Sequence, residues 1–265
     1  MSIYFKTIRS SSSANCIAVW TENTRVLFDC GFTSMKQTRA ILNENLGDSE
    51  DVDAVVISHL QGDHIRYYPL RVLEEYGLAV KVHRDCLKQL KTKHFNGYGF
   101  KSLRLEAYTK KFEIGDMVIE PFKVPHHPEY LTHGFVIKYQ HGKKWKKAVL
   151  VTDFNNGRGV VRHFKNADFI FIESNHDLEL LDMYFNPNSL YHMSNPKTAE
   201  LLCMARKQSK KAPEAVMLGH ISSQRNEAKI ALNETRRVFQ KNGLKLDFDL
   251  YAAPLYNSSQ VVKFG

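Results

Sequence analysis

Ala54-Val55-Val56-Ile57-Ser58-His59-Leu60-Gln61-Gly62-Asp63-His64 joins a short apolar run to a loop carrying two imidazoles, a carboxylate and an amide. The run is mostly β-branched and predicts a buried strand. Polar groups set at the end of a rigid strand can converge on one point. Imidazole and carboxylate are the usual donors to Zn2+, and Mn2+ and Fe2+ accept them too. The loop therefore reads as half of a metal site. Alone, the same cluster could be a solvated turn, so the other half has to come from elsewhere in the chain.

Three further strand ends carry a group of ligand type. His126-His127 follows Phe122-Lys123-Val124-Pro125, Asp153 follows Val149-Leu150-Val151-Thr152, and His220 follows Val216-Met217-Leu218-Gly219. A lone strand-end histidine is more often hydrogen-bonded or on the surface. It is the series that points to a common centre.

The surrounding pattern supports this layout. Strands are expected at Ile3 to Ile8, Cys16 to Trp20, Arg25 to Asp29, Val52 to Ile57, Val80 to Val82, Phe112 to Phe122, Gly134 to Tyr139, Ala148 to Thr152, Phe169 to Glu173, Ala215 to Leu218 and Leu246 to Tyr251. Helices are expected at Ser34 to Leu46, capped by Ser34, at Tyr68 to Tyr76, at Pro196 to Gln208, capped by Asn195, and at Asn226 to Asn242. Two runs of strands, separated and followed by helices, predict an α/β (α+β) fold: a four-layer αββα sandwich of two mixed sheets with outer helices.

The length of 265 residues and the 43% hydrophobic content suit one domain spanning 1–265. No stretch approaches the roughly 20 apolar residues of a membrane span, and Met1 to Lys6 lacks the apolar core of a signal peptide. The expectation is a cytoplasmic protein without a membrane partner. Cys16, Cys30, Cys86 and Cys203 lie far apart with no Cys-x-x-Cys pair, and read as reduced thiols. The net charge of +9, from 37 Lys and Arg against 28 Asp and Glu, favours an anionic partner, nucleic acid or a phosphorylated small molecule. Lys81 to Lys111 mixes cations with Tyr and Phe, the residue types that hold phosphates and stack on bases. Lys91, Lys93 and Lys101 are its candidate polynucleotide contacts. Lys143-Lys144-Trp145-Lys146-Lys147 is expected in a hairpin turn after Gly142, solvated.

The order of these motifs resembles the metallo-β-lactamase fold hydrolases, in which a His-x-His-x-Asp-His loop is followed by a His, a bridging Asp and a last His. The YycJ/VicX-like branch is the closer likeness. Ser11-Ser12-Ser13-Ala14-Asn15-Cys16 is similar to its Gly-Ser-Ser-Gly-Asn-Cys opening, and Phe28-Asp29-Cys30-Gly31 to its Asp-x-Gly turn. Val151-Thr152-Asp153, Glu173 to Asp177, His192-Met193-Ser194-Asn195 and Gly219-His220-Ile221-Ser222 follow in that order. The likeness runs from Ser11 to the C-terminal strand.

The resemblance implies two adjoining metal positions holding one or two divalent ions, Zn, Mn or Fe. The first would use His59, Gln61 and His126, with His126 preferred over His127. The second would use Asp63, His64 and His220, and Asp153 would bridge them. Gln61 departs from the family, which has histidine there. A neutral amide is the weaker donor to Zn2+, while its oxygen suits Mn2+ or Mg2+. The first position is therefore expected to be weakened, harder in character or empty.

The implied activity is metal-dependent hydrolysis of phosphodiester bonds in DNA or RNA. Asp63 and Asp153 would orient the attacking water, and His192 would face the phosphate or protonate the leaving group. Ser222 would donate to phosphate or cap the next helix. Asp29 reads as holding a ligand histidine in its tautomer, and Glu173 as supporting a neighbouring loop or a residue behind the ligands, rather than as ligands themselves. Two other functions fit the same residues. One is hydrolysis of a small ester, lactone, thioester or cyclic nucleotide, since fold does not fix chemistry. The other is a decayed site in a nucleic-acid or partner-binding protein.

Overall fold

In Val26-Leu27-Phe28, Val26 and Phe28 face one core while Leu27 faces another. Successive side chains of a strand point to opposite faces, so a run that is apolar throughout must be covered on both sides. The computed structural model describes residues 2–46, 51–95, 97, 99–142 and 144–265. Within them two seven-stranded sheets pack face to face.

The first sheet contains β1 (Ile3–Ser11), β2 (Ala14–Trp20), β3 (Arg25–Phe28), β4 (Ala54–Val56), β5 (Ala79–His83) and β6 (Leu105–Tyr108). The second contains β7 (Phe112–Ile114), β8 (Met117–Val124), β9 (Thr132–His141), β10 (Lys144–Val151), β11 (Phe169–Glu173), β12 (Ala215–Gly219) and β13 (Asp249–Ala252). The last strand, β14 (Val262–Phe264), returns to pair antiparallel with β1. Both sheets are mixed: β3 to β6 run parallel, as do β10 to β13, and the remaining neighbours are antiparallel.

Three apolar layers follow from the alternation. Phe5, Phe28, Val56, Phe135, Phe169, Phe171 and Met217 fill the space between the sheets. There Phe5 meets Phe169 at 4.5 Å between ring centroids and Phe171 at 5.3 Å. Leu27, Val55 and Val80 face Leu42 of α1 (Met35–Leu46), Leu70 and Leu73 of α2 (Tyr67–Glu75) and Leu90 of α3 (Leu87–His94). Val149, Ile170, Ile172, Val216 and Leu218 face Phe164 of α4 (Val161–Phe164) and two longer helices. After α5 (Leu178–Met183) these are α6 (Asn195–Gln208), with Leu201 and Leu202, and α7 (Ala228–Lys241), with Val238 and Phe239. The result is the αββα sandwich. Among the described residues no helix is long and apolar enough to cross a membrane.

Two local expectations need correction. Helix α6 begins one residue early, with Ser194 at its cap; Asn195 is inside it, its side chain buried against Asn226 and Ser174. The second lysine cluster is not in a turn. Lys144–Lys147 form the first half of β10, because the ladder with β9 extends four residues beyond the apolar run. There Lys146 pairs with Glu214 at 3.2 Å and Lys147 donates to the Lys165 carbonyl at 2.8 Å. Lys143 lies outside the described residues. The cap of α1 is as expected, with Ser34 Oγ accepting from Gln37 N at 3.2 Å.

Parallel pairing brings strand ends to one level. The register Val151 to Ile172 and Ile172 to Leu218 sets the residues after β10, β11 and β12 side by side. The loop after β4 is pinned opposite them: Asn15 N donates to Asp63 O at 2.8 Å and Cys30 N to His64 O at 2.8 Å. Gly31 is where the two backbones touch, since a Cβ there would lie 1.7 Å from Asp63 O. Gly31→Ala is expected to cost about 1–3 kcal/mol of stability or more and to displace Asp63. Urea unfolding beside a metal-affinity measurement checks both effects; a variant matching the parent in both would contradict this role for Gly31.

Candidate metal centre

Asp29, Asp153 and His220 adopt left-handed backbone, with φ of 62°, 57° and 50°. Such a conformation costs a non-glycine residue roughly 1–2 kcal/mol, so the surroundings must hold it. Asp153 N donates to Glu173 Oε2 at 2.8 Å, and His220 N to Ser10 Oγ at 2.8 Å. Asp29 accepts from both Ser58 N and Ser58 Oγ at 2.8 Å. The sharp turns aim Asp153 and His220 back across the strand ends.

The side chains that meet there come from four segments. His64 Nε2 lies 3.1 Å from Asp153 Oδ2 and 3.5 Å from Asp63 Oδ2. His220 Nε2 lies 3.4 Å from Asp63 Oδ2 and 3.5 Å from Asp153 Oδ1. His126 Nε2 lies 3.9 Å from Asp153 Oδ1. Ligand atoms of Asp63, His64, Asp153 and His220 form one group with every pair within 4.8 Å, and His59, His126 and Asp153 form a second. Gln61 sits inside the second: its Oε1 is 2.9 Å from His126 Nε2 and 3.4 Å from His59 Nε2. Of the adjacent histidines, His126 turns inward, while His127 packs on the Tyr191 ring at the rim.

Supporting residues fix these rings from behind. Asp29 Oδ2 is 2.8 Å from His64 Nδ1. Glu173 Oε2 is 3.1 Å from His220 Nδ1 and 3.0 Å from His192 Nδ1, and Glu173 Oε1 accepts from Met193 N at 2.6 Å. Asn15 Nδ2 donates to Asp63 Oδ2 at 3.2 Å. With its Nδ1 so engaged, each imidazole presents Nε2 to the centre.

A divalent ion fits this donor set. Asp153 is 1% exposed, yet neither of its carboxylate oxygens has a hydrogen-bond partner among the described residues. A carboxylate is costly to bury without compensating charge, and here the ring nitrogens of His64, His220, His192 and His126 face it at 3.1 to 3.9 Å in place of hydrogen bonds. That is the arrangement of ligands around a shared cation.

The charges support the same reading. Burial works to lower His220, but Asp153, Asp63 and Glu173 more than offset it and hold its proton up to about pH 10 in the metal-free protein. His64 is likewise raised: burial opposes its charge, and Asp153, Asp29 and Asp63 prevail. Burial and the neighbouring His64 keep His59 well below its ordinary value, and burial also lowers His126. Burial alone would raise Glu173, but His192 and His220 bring it down to about 2.

Metal binding must expel the proton from His220 and from His64. Below about pH 10 the apo site binds more protons than the loaded one, so affinity is expected to rise with pH across 6 to 8 by up to about tenfold per unit for each proton released. Calorimetric titration in buffers of different ionisation enthalpy counts those protons. An affinity flat over this range would contradict the assignment.

The cluster opens into a cleft with two lobes that share Gln61, Asn188 and His192. The smaller, about 130 Å³, is walled by His126, His127, Tyr130 and Tyr191. The larger, about 220 Å³, is walled by Ser12, Asp63, Asn175, Asn186, His220 and Arg225. Lys93 packs on Tyr130, a wall of the smaller lobe, its ammonium 4.3 Å from the ring centroid, and α3 is tied to the ligand loop by His94 Nε2 at 2.9 Å from Leu60 O. Lys91 and Lys101 are exposed and line neither lobe. Ser222 caps the turn that follows it, not a helix: its buried Oγ accepts from Arg225 N at 3.2 Å and Gln224 N at 3.4 Å, and it lines neither lobe. Arg225 carries no motif that would single it out in the sequence, whereas Asn15 and Glu173 sit within segments already noted.

A family model described as the beta-lactamase superfamily domain matches residues 24–221. The exodeoxyribonuclease WalJ of Streptococcus pneumoniae is 28% identical over 265 residues, covering 93% of this chain and 93% of its own length. The exodeoxyribonuclease YycJ of Bacillus anthracis is 27% identical over 260 residues, covering 92% of this chain and 91% of its own. Among solved structures, the metallo-beta-lactamase fold protein YhfI from Bacillus subtilis superposes with a TM-score of 0.73 at 17% identity, covering 99% of this chain and 100% of that one.

Proposed function

This chain belongs to the beta-lactamase superfamily, and on that premise we propose that it is a metal-dependent phosphodiesterase that cuts DNA. The observation that carries the reading is the buried Asp153 carboxylate, unbonded and ringed by the Nε2 atoms of His64, His126 and His220. The exodeoxyribonuclease relatives and the net charge of +9 support a polynucleotide substrate.

His59, Gln61, His126, Asp63, His64, Asp153 and His220 would hold the metal. A divalent ion bound there lowers the pKa of its water from 15.7 towards about 7, supplying hydroxide near neutral pH. Asp63 and Asp153, whose carboxylates face the centre, would orient the attacking water. His192 keeps Nδ1 on Glu173, leaving Nε2 to hand a proton to the departing oxygen. Glu173 favours the charged form of His192 and at the same time holds the Nδ1 of His220, so the acid and a ligand share one support. Lys93 with Tyr130 draws the anionic backbone towards the cleft, and Lys91 and Lys101 add charge outside it.

The two metal positions are unequal. Asp63, His64, Asp153 and His220 form the tight one. The other depends on the Gln61 amide oxygen, already engaged by His126, and is weaker and harder in character.

Metal-loaded protein incubated with end-labelled DNA and RNA, beside Asp63→Ala, tests the reading. Cutting of DNA that is lost in the variant is expected. Equal cutting by both proteins would sink the proposal.

A further inference from the structure

Helix α5 buries none of its residues. It and the following turn expose Leu178, Met183, Tyr184, Phe185 and Leu190, with Met183 and Phe185 each 71% accessible. This strip is not remote from the chemistry: Asn186, Asn188 and Ser189, which interrupt it, line the larger lobe of the cleft beside Asp63 and His220.

Arg225 faces the same lobe. Its Nε is buried without a hydrogen-bond partner among the described residues, and its Nη1 reaches only the neighbouring Gln224 side chain, at 3.1 Å. No carboxylate pairs with it among the described residues, although a buried guanidinium nitrogen normally finds an acceptor. The backbone of Arg225 and the start of the apolar strip are joined. Asp177 N donates to Arg225 O at 2.8 Å, and Asp177 Oδ1 caps α5 by accepting from Leu180 N at 3.0 Å.

We infer that this side of the cleft is a single-strand subsite: Arg225 takes the phosphate next to the scissile one, and Tyr184 and Phe185 stack on the adjoining bases. The inference rests on the phosphodiesterase reading and adds the form of the substrate. A guanidinium with open donors matches phosphate oxygens. Aromatic rings stack on unpaired bases regardless of sequence, because every base has a π-face. A duplex keeps its bases stacked on one another and would offer this strip nothing. Tyr130 walls the other lobe, with Lys93 packed on its ring, so a strand spanning the metal centre would be gripped on both sides of the bond to be cut.

The test uses full-length, metal-loaded protein and a fluorescent phosphorothioate strand of about 12 nucleotides, within the site sizes of single-strand binders, chosen to resist cutting. Binding is followed by anisotropy over a range of salt. Arg225→Gln is expected to weaken binding and to flatten the log–log salt slope by about 0.7, one phosphate's share, while Arg225→Lys keeps the slope. Tyr184→Ala with Phe185→Ala is expected to weaken binding about 10-fold or more, and to weaken an abasic strand of equal length far less. All these positions are at least partly exposed, and thermal melts establish that the variants fold.

An unchanged slope in Arg225→Gln, or equal losses on normal and abasic strands, would overturn the inference while leaving the nuclease reading intact if the parent still cuts DNA. A self-associating parent that the double variant turns monomeric, with strand affinity unaltered, would assign the strip to a second copy of this chain and overturn it too. A parent that neither binds nor cuts any strand would overturn both.

Discussion

Asp153→Asn is expected to fold, to lose metal and to hydrolyse phosphodiesters at a rate lower by a factor on the order of 10³ or more, as for other residues that act as a unit in catalysis. Asparagine is chosen because it tolerates the left-handed backbone at φ 57°, where alanine would add strain of its own. The exchange keeps the shape and removes the charge. His64 and His220, which hold protons largely through this carboxylate, become easier to deprotonate, which by itself would favour metal. The loss of a shared ligand outweighs that gain, because among the described residues no other carboxylate touches both groups of donors. The three apolar layers do not include Asp153, so the melting transition should stay cooperative. Steady-state rates on a small diester and on DNA, beside metal content, check this. A variant that retains both metal and rate would remove Asp153 from the centre.

Gln61→His has the opposite sign. In the parent the amide oxygen occupies the point between His59 Nε2 and His126 Nε2, at 3.4 and 2.9 Å. Burial keeps both of those imidazoles below their ordinary pKa, hence neutral and ready to donate at pH 7. What the position lacks, beside the shared Asp153, is a third imidazole. An imidazole at residue 61 supplies it, and a second ion is expected to bind at least about 10-fold more tightly, with a shift in preference from Mn2+ towards Zn2+. Titration followed by elemental analysis distinguishes the cases. If the parent already binds two Zn2+ ions with equal affinity, Gln61 is no handicap and the inequality of the two positions is wrong.

The sequence carried much of this because the strands are covered on both faces. Phe169-Ile170-Phe171-Ile172 must bury every side chain, and a run of that kind stands out and shows where it ends. The groups at those ends, Asp153 and His220 among them, could be read as convergent for that reason. Four things were not legible. The strand β14 is three residues long, and its pairing with β1 spans nearly the whole chain, so no local period marks it. The cap of α6 fell on Ser194 rather than Asn195 because Asn195 is drawn inward by Asn226 and Ser174, contacts made only after folding. Glu173 could be taken as a support but not placed. Its grip on Asp153, His192 and His220 depends on the parallel register of β10, β11 and β12, which no single segment encodes. Arg225 was invisible for a related reason, since its significance is the absence of a partner in three dimensions.

The central claim is that the cluster around Asp153 is a divalent-metal centre that activates water for phosphodiester cleavage. The most direct measurement is metal content per chain together with cutting of end-labelled DNA, before and after treatment with chelator and after ions are restored. The account predicts at least one tightly held ion, cutting that disappears with it, and cutting that returns when it does. Protein that takes up no ion under any condition, or that cuts equally well without one, would contradict it.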